Sequence, residues 1–130
     1  MSAEKVIYNL LSTDTALKAV VPTSRMYAGV IPIDATYPAL CYNLVSSVDV
    51  TAIELTTMKS RSRIQVTAVA TSYPAVKALL KLIEAACKNK QGTFNGVKTD
   101  YVLKSDIGAD YRDDDTNVFY STIDFNIMYE

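Results

Sequence analysis

A chain of 130 residues favours a single domain over residues 1–130, long enough to bury ~two-thirds of the surface it exposes when unfolded. With 49% hydrophobic and 21% charged residues, it can build a core without disulfides or metal. The formal net charge of -1, from 13 basic and 14 acidic residues, argues against a broad basic surface for nucleic acid, and no stretch approaches the ~18 apolar residues of a membrane helix.

The chain has no His, so the commonest general base and the commonest metal ligand are both missing. Cys41 and Cys87 are too few and too far apart for a disulfide framework or a zinc site, and the expected state is two reduced, buried thiols. There is no Gly-x-Ser-x-Gly elbow, and the four glycines form no phosphate-cradling loop. Nothing singles out a carboxylate pair for glycoside chemistry. The expectation is a protein with no enzymatic activity, no cofactor and no metal. Met1-Ser2-Ala3-Glu4-Lys5 leads into no secretory apolar run, so synthesis in a reducing cytosol is expected.

In chain order, Val6, Ile7, Leu10 and Leu11 recur at helical spacing and predict a short amphipathic helix over residues 3–11. Asp14 is a fitting N-cap for a second turn of helix through Leu17 and Val20, closed by Pro22. Arg25, Met26 and Tyr27 read as a brief extended piece, and Pro32 and Pro38 bracket an irregular loop. From Ala39 to Tyr73 there is neither Gly nor Pro. Leu40, Tyr42, Leu44, Val48 and Val50 alternate as one face of a strand, and Ile64, Val66, Ala68 and Ala70 as a face of a second. A long projecting hairpin fits, with its turn within residues 51–59 and Ile53, Leu55 and Met58 near its end. A loop folded back on the domain is the alternative.

Residues 73–90 carry the clearest helical pattern. Val76, Leu79, Leu80, Ile83, Ala86 and Cys87 form the apolar stripe, and Lys77, Lys81, Glu84 and Lys88 the solvated face. Pro74 suits the first turn, Ser72 or Thr71 can cap it, and Gly92 follows as a stop. A strand over residues 97–104, a polar loop over 106–115 and a final strand over 119–129 complete the chain. The predicted fold is α+β, a mostly antiparallel sheet with helices packed on one face.

Asp106, Asp110, Asp113, Asp114 and Asp115 are the dense carboxylate cluster. Read as a calcium loop from Asp106, the chain has Tyr111 where the sharp-turn Gly belongs and Asn117 where the bidentate Glu belongs, so a solvated acidic loop is the better reading. A loop facing a basic patch on a neighbouring subunit is its functional version. Of nine tyrosines, Tyr42 and Tyr129 fall on apolar strand faces, whereas Tyr8, Tyr111 and Tyr120 fall off the stripes and suit either internal contacts or an interface.

Several stretches resemble a known family. Arg25-Met26-Tyr27-Ala28-Gly29-Val30-Ile31-Pro32, then Pro38-Ala39-Leu40-Cys41-Tyr42, are similar to the early segment of tail terminator or tail completion proteins of long-tailed bacteriophages. Residues 63–73 resemble that family's central strand leading into its long helix, and Thr122-Ile123-Asp124-Phe125-Asn126-Ile127 its last strand. One departure is that residues 46–60 hold no Gly.

The resemblance implies a non-catalytic virion protein. It would be assembled in the host cytoplasm and form a ring, typically a hexamer, on the head-proximal end of the tail tube. Its implied partners are copies of itself, the tail tube protein and the head-tail connector or stopper protein, with no membrane and no sequence-specific nucleic acid. A head-tail connector or minor tail component is a second reading, and a small-ligand-binding regulatory α+β domain a third. For the ring contact, the expected interface joins Ile53, Leu55, Met58, Lys59, Arg61 and Arg63 of the arm to Asp110, Asp113, Asp114 and Asp115 of a neighbour.

Overall fold

The computed structural model describes residues 2–32, 35–51, 57–114 and 117–129. Helix α1, Ser2–Thr13, buries Ala3, Val6, Ile7, Leu10 and Leu11, the stripe that its periodicity predicts. Asp14 caps α2, Thr15–Val20, accepting from the Leu17 amide at 2.9 Å. A single 3-10 turn over Thr23–Arg25 then leads into the three-residue strand β1, Met26–Ala28.

Strands β2, Ala39–Thr51, and β3, Thr57–Ala70, pair antiparallel from Ala39 opposite Val69 to Thr51 opposite Thr57. Helix α3, Tyr73–Cys87, is capped by the Ser72 hydroxyl, which accepts from the Ala75 amide at 3.3 Å, and Pro74 occupies its first turn. The helix ends three residues before the predicted boundary. Asn89 adopts a left-handed φ of 57° and its amide bonds the Val102 carbonyl at 2.8 Å, which turns the chain into a strand the sequence reading did not anticipate. That strand, β4, Lys90–Phe94, pairs with β5, Val97–Ile107, through a two-residue turn. In that turn Asn95 and Gly96 have φ of 51° and 81°, the left-handed pair that a tight hairpin requires.

The predicted polar loop over 106–115 is mostly extended. Asp106 and Ile107 belong to β5, and β6, Tyr111–Asp113, pairs beside the start of β7, Val118–Tyr129. Polarity did not prevent strand formation because the adjacent length of β7 supplies backbone partners for these residues. The sheet runs β1-β2-β3-β7-β5-β4, with β6 also on β7; among the described residues only β1 with β2 is parallel.

Helices α1 and α3 cover one face of this sheet. There Val76, Leu79, Leu80 and Ile83 join Ile64, Val66, Ile123, Phe125 and Ile127 in one buried cluster, as the two apolar patterns predict. An ion pair at 2.7 Å between Lys104 and Glu84 ties β5 to α3, and it holds the Glu84 carboxyl below its ordinary range. Tyr129 is buried with its hydroxyl on Ser62 at 3.0 Å, and Ser62 in turn reaches Ser47 at 3.0 Å. Cys41 and Cys87 are free and buried, and burial pushes both thiols up from their ordinary range.

Strand β2 departs from simple alternation. A register shift between Leu44 and Ser46 moves Val48 to the opposite face from Leu40 and Tyr42, where it lies across from Arg61. The described strands do not establish the expected projection: beyond the flank of β7 only residues 57–59 of β3 remain. β7 flanks β3 from Ala70 to Ser60, and residues 52–56, which include Ile53 and Leu55, lie outside the described residues.

Leu80→Ala should cost about 2–5 kcal/mol through lost burial and the cavity left between α3 and the sheet. Denaturant unfolding checks this: a loss within about 0.5 kcal/mol, the range of an ordinary surface site, would place the wrong helix face on the sheet.

Candidate functional site

The sheet face turned away from the helices carries the basic residues of the expected arm. Arg61 and Arg63 project from β3 on this side, in the alternation that buries Ile64 and Ser62 on the other. Arg61 is exposed. Arg63 is engaged within the chain: its Nε and Nη2 reach Asp124 Oδ2 at 2.8 and 2.7 Å, and Asp106 lies 4.0 Å from Nη2. Asp124 is buried, and its Oδ1 has no hydrogen-bond partner among the described residues. Lys59 is ion-paired with Asp100 of β5. Of the apolar arm residues, Met58 lies in β3 with its side chain outside the described part, and Ile53 and Leu55 lie outside altogether.

The acidic residues do not form one patch. Asp110 joins three elements: its Oδ2 accepts from Lys77 Nζ at 2.6 Å and from the Tyr73 hydroxyl at 3.0 Å, both on α3, and its Oδ1 from Ser121 of β7 at 2.7 Å. Lys77 also lies over the Tyr73 ring, 5.5 Å from its centroid. The bend that sets Asp110 there passes through Gly108, whose amide bonds the Thr122 carbonyl at 3.0 Å and where a Cβ would overlap the Thr122 hydroxyl. Asp114 takes the Arg112 guanidinium at 2.8 Å. Asp113 is half-buried in β6, and Asp115 lies outside the described residues. Among the described residues no three His, Cys, Asp or Glu converge as metal ligands. The expected basic and acidic clusters are therefore partly neutralised from within: Lys59, Arg63, Asp110 and Asp114 each hold a partner in the same chain.

The tyrosines off the apolar stripes have resolved positions. Tyr111 and Tyr120 are register partners across β6 and β7 and stack with centroids 4.8 Å apart and planes 2° apart. Tyr8 of α1 lies 6.0 Å from Tyr42 of β2. Sequence reasoning missed the exposed apolar run on β2: Leu44, Val45 and Val48 are 43%, 51% and 54% exposed. The expected alternation of Leu40, Tyr42, Leu44 and Val48 put them on one face, and the bulge at Val45 that moves Val48 off it has no marker such as Gly in the sequence.

The contacts of Asp110 have a measurable consequence. Hydrogen bonds from Lys77 first, and from Ser121, lower its carboxyl from 3.8 to about 2. Because the folded state holds the more acidic group, its contribution to stability is complete above the ordinary value and is lost as pH falls toward 2. A carboxyl titration by NMR should find the Asp110 midpoint near 2. In Lys77→Met the midpoint should rise toward 3.8; an unchanged midpoint there would assign the shift to Ser121 and Tyr73.

Comparison with known proteins follows the fold. A chain of a structure described as the virion of a native gene transfer agent particle matches with a TM-score of 0.72 at 13% identity, over 100% of this chain and 94% of that one. A second solved chain matches with a TM-score of 0.62 at 13% identity, over 100% of this chain and 96% of its own length. Among curated proteins there is no significant match. The family model described as tail completion protein gp17 matches residues 5–130. That match runs from α1 through β7, and the chain belongs to the tail completion protein gp17 family.

Proposed function

We propose that this phage tail structural protein works without catalysis or cofactor, as one subunit of a ring that closes the head-proximal end of the tail tube. The ring, typically a hexamer, stops addition of tube subunits and offers a surface to the head-tail connector or stopper protein. Its partners are then other copies of the chain, the tail tube protein and the connector, assembled in the host cytoplasm. The family match over residues 5–130 is the observation that carries this reading. A physical feature agrees with it: Leu44, Val45 and Val48 leave apolar surface on the strand that leads to the arm, and such surface calls for a partner.

A rotational ring needs two different surfaces that fit each other. We assign one of them to the arm, with Ile53, Leu55 and Met58 as apolar anchors. Lys59, Arg61, Arg63, Asp110, Asp113, Asp114 and Asp115 are left to orientation and association rate. Several of these charges already hold internal partners, and charges at an interface rim add less to affinity than buried apolar anchors.

Negative-stain imaging of particles made without the protein tests the station in the virion. Abnormally long tails are expected; tails of normal length detached from heads would make it a joining protein instead. For the assembly surface, the double variant Leu55→Asp with Met58→Asp should remain folded and monomeric by size-exclusion chromatography with light scattering. A variant that assembles like its parent removes the arm from the ring contact.

A further inference from the structure

Apart from Tyr111, the large apolar side chains that the described strands leave exposed sit on two opposite edges of the sheet: Leu44, Val45 and Val48 on β2, and Leu103 and Ile107 on β5. β1 covers the outer side of β2 only as far as Tyr42, and β4 covers that of β5 only over residues 97–102. Beyond those rungs no described strand flanks either edge. Neither stretch contains Pro, and its one Lys, Lys104, is drawn onto Glu84 of α3, so two usual guards of an open edge are missing. Leu44 also lines a cleft of about 380 Å³ beside α1, whose aromatic side is Tyr8 and Tyr42.

The two edges match side for side. Register puts Leu44 and Ile107 on the side that the helices cover, across from Ile64 and Ile123, and Val48 and Leu103 on the open side, across from Arg61 and Asn126. The open side also carries opposite charges. Arg61, beside Val48, is exposed and unpaired among the described residues. Its basic neighbours are neutralised, Lys59 by Asp100 and Arg63 by Asp124. On β5 the Asp106 side chain is 67% exposed and stands 4.0 Å from Arg63, which Asp124 holds more closely at 2.7 Å. One guanidinium between two carboxylates leaves a negative charge in excess there. The other charges of these edges lie on the helix side, where Asp49 is opposite Ser60 and Lys104 holds Glu84.

We propose that the β2 edge of one copy packs on the β5 edge of the next, with Val45 and Val48 against Leu103, Ile107 at the cleft beside Leu44, and Arg61 facing Asp106. The proposal rests on the ring reading and gives the strand that leads to the arm its receiving surface. Within one chain the two edges stand three strand spacings apart, roughly 14 Å at ~4.8 Å each, so the contact takes a second copy. A two-fold contact of either edge with itself sets Arg61 against Arg61 or Asp106 against Asp106. The β2-to-β5 contact pairs opposite charges and is head-to-tail, the arrangement that a rotational ring uses. β1 and β4 stop each edge from taking a full-length strand, so side chains rather than a continuous hydrogen-bond ladder carry the contact.

Cross-linking tests it. A chain carrying Val48→Cys and Leu103→Cys together is assembled as the parent is and treated with a bis-maleimide shorter than the separation of the two edges. A ladder of covalent oligomers on a denaturing gel is expected, and none from either single variant; Cys41 and Cys87 are buried, and the parent sets the background. Arg61→Asp and Asp106→Lys should each raise the concentration needed for assembly by roughly two- to fivefold at low salt, the range of an exposed ion pair, and the two together should restore it. A parent that assembles while the double-cysteine chain gives no ladder overturns this contact and leaves the ring reading standing. So does a single variant that cross-links to itself, or a double charge reversal that assembles no better than either single one. A parent that stays monomeric by light scattering at every concentration overturns both.

Discussion

Ile64 lies across from Phe125 and Val66 across from Ile123, and that register decides which side of every neighbouring strand is buried. Side chains alternate along a strand, so one fixed pair of rungs sends residues 62, 64, 66 and 68 of β3 and residues 121, 123, 125 and 127 of β7 under the helices together. A slip by one residue would bury Arg63 and Asp124 among α3 leucines and turn the phenylalanine outward. The apolar stripes of α1 and α3 then have a single surface to cover, and their burial carries the stability of the fold.

The charged residues serve the fold before they serve a partner. Asp110 holds the bend between β5 and β6 against the first turns of α3, and Arg63 neutralises Asp124 on the open face of the central strand. An exposed carboxylate cluster in a sequence invites a reading as a docking or cation site; here its described members are distributed over β5, the bend and the end of β6, and Asp106, Asp110 and Asp114 face cations of the same chain. Exposed apolar side chains remain on β2, at Leu44, Val45 and Val48, near the aromatic cleft beside α1.

Legibility followed the length of each pattern. Helix α3, β3 and β7 each repeat an apolar signal over many residues, and their buried members Val76, Leu79, Ile64, Val66, Ile123 and Phe125 were all readable. Strand β4 is five residues long with Gly92 at its centre and no alternation to detect. Its one local marker was the Asn95-Gly96 pair, a hairpin signal that the sequence reading passed over in favour of Gly92 as a helix stop. Strand β6 had no marker at all, because Tyr111, Arg112 and Asp113 are extended only through their partners on β7.

The amino-acid sequence by itself determined the elements whose side chains repeat in register with a helix or a strand, the α+β class and the resemblance to tail completion proteins. It did so because those properties are written in nearest-neighbour spacing. Tertiary structure alone decided what depends on distant partners. It moved Val48 across the sheet by a bulge at Val45, recruited Asp106 and Tyr111–Asp113 into strands against β7, and directed Lys77 to Asp110 across 33 residues of chain. It also brought Tyr8 of the first helix beside Tyr42 and Asn95 to form a cleft. No local pattern encodes those contacts, because each joins residues whose separation along the chain is bridged only when the sheet has folded.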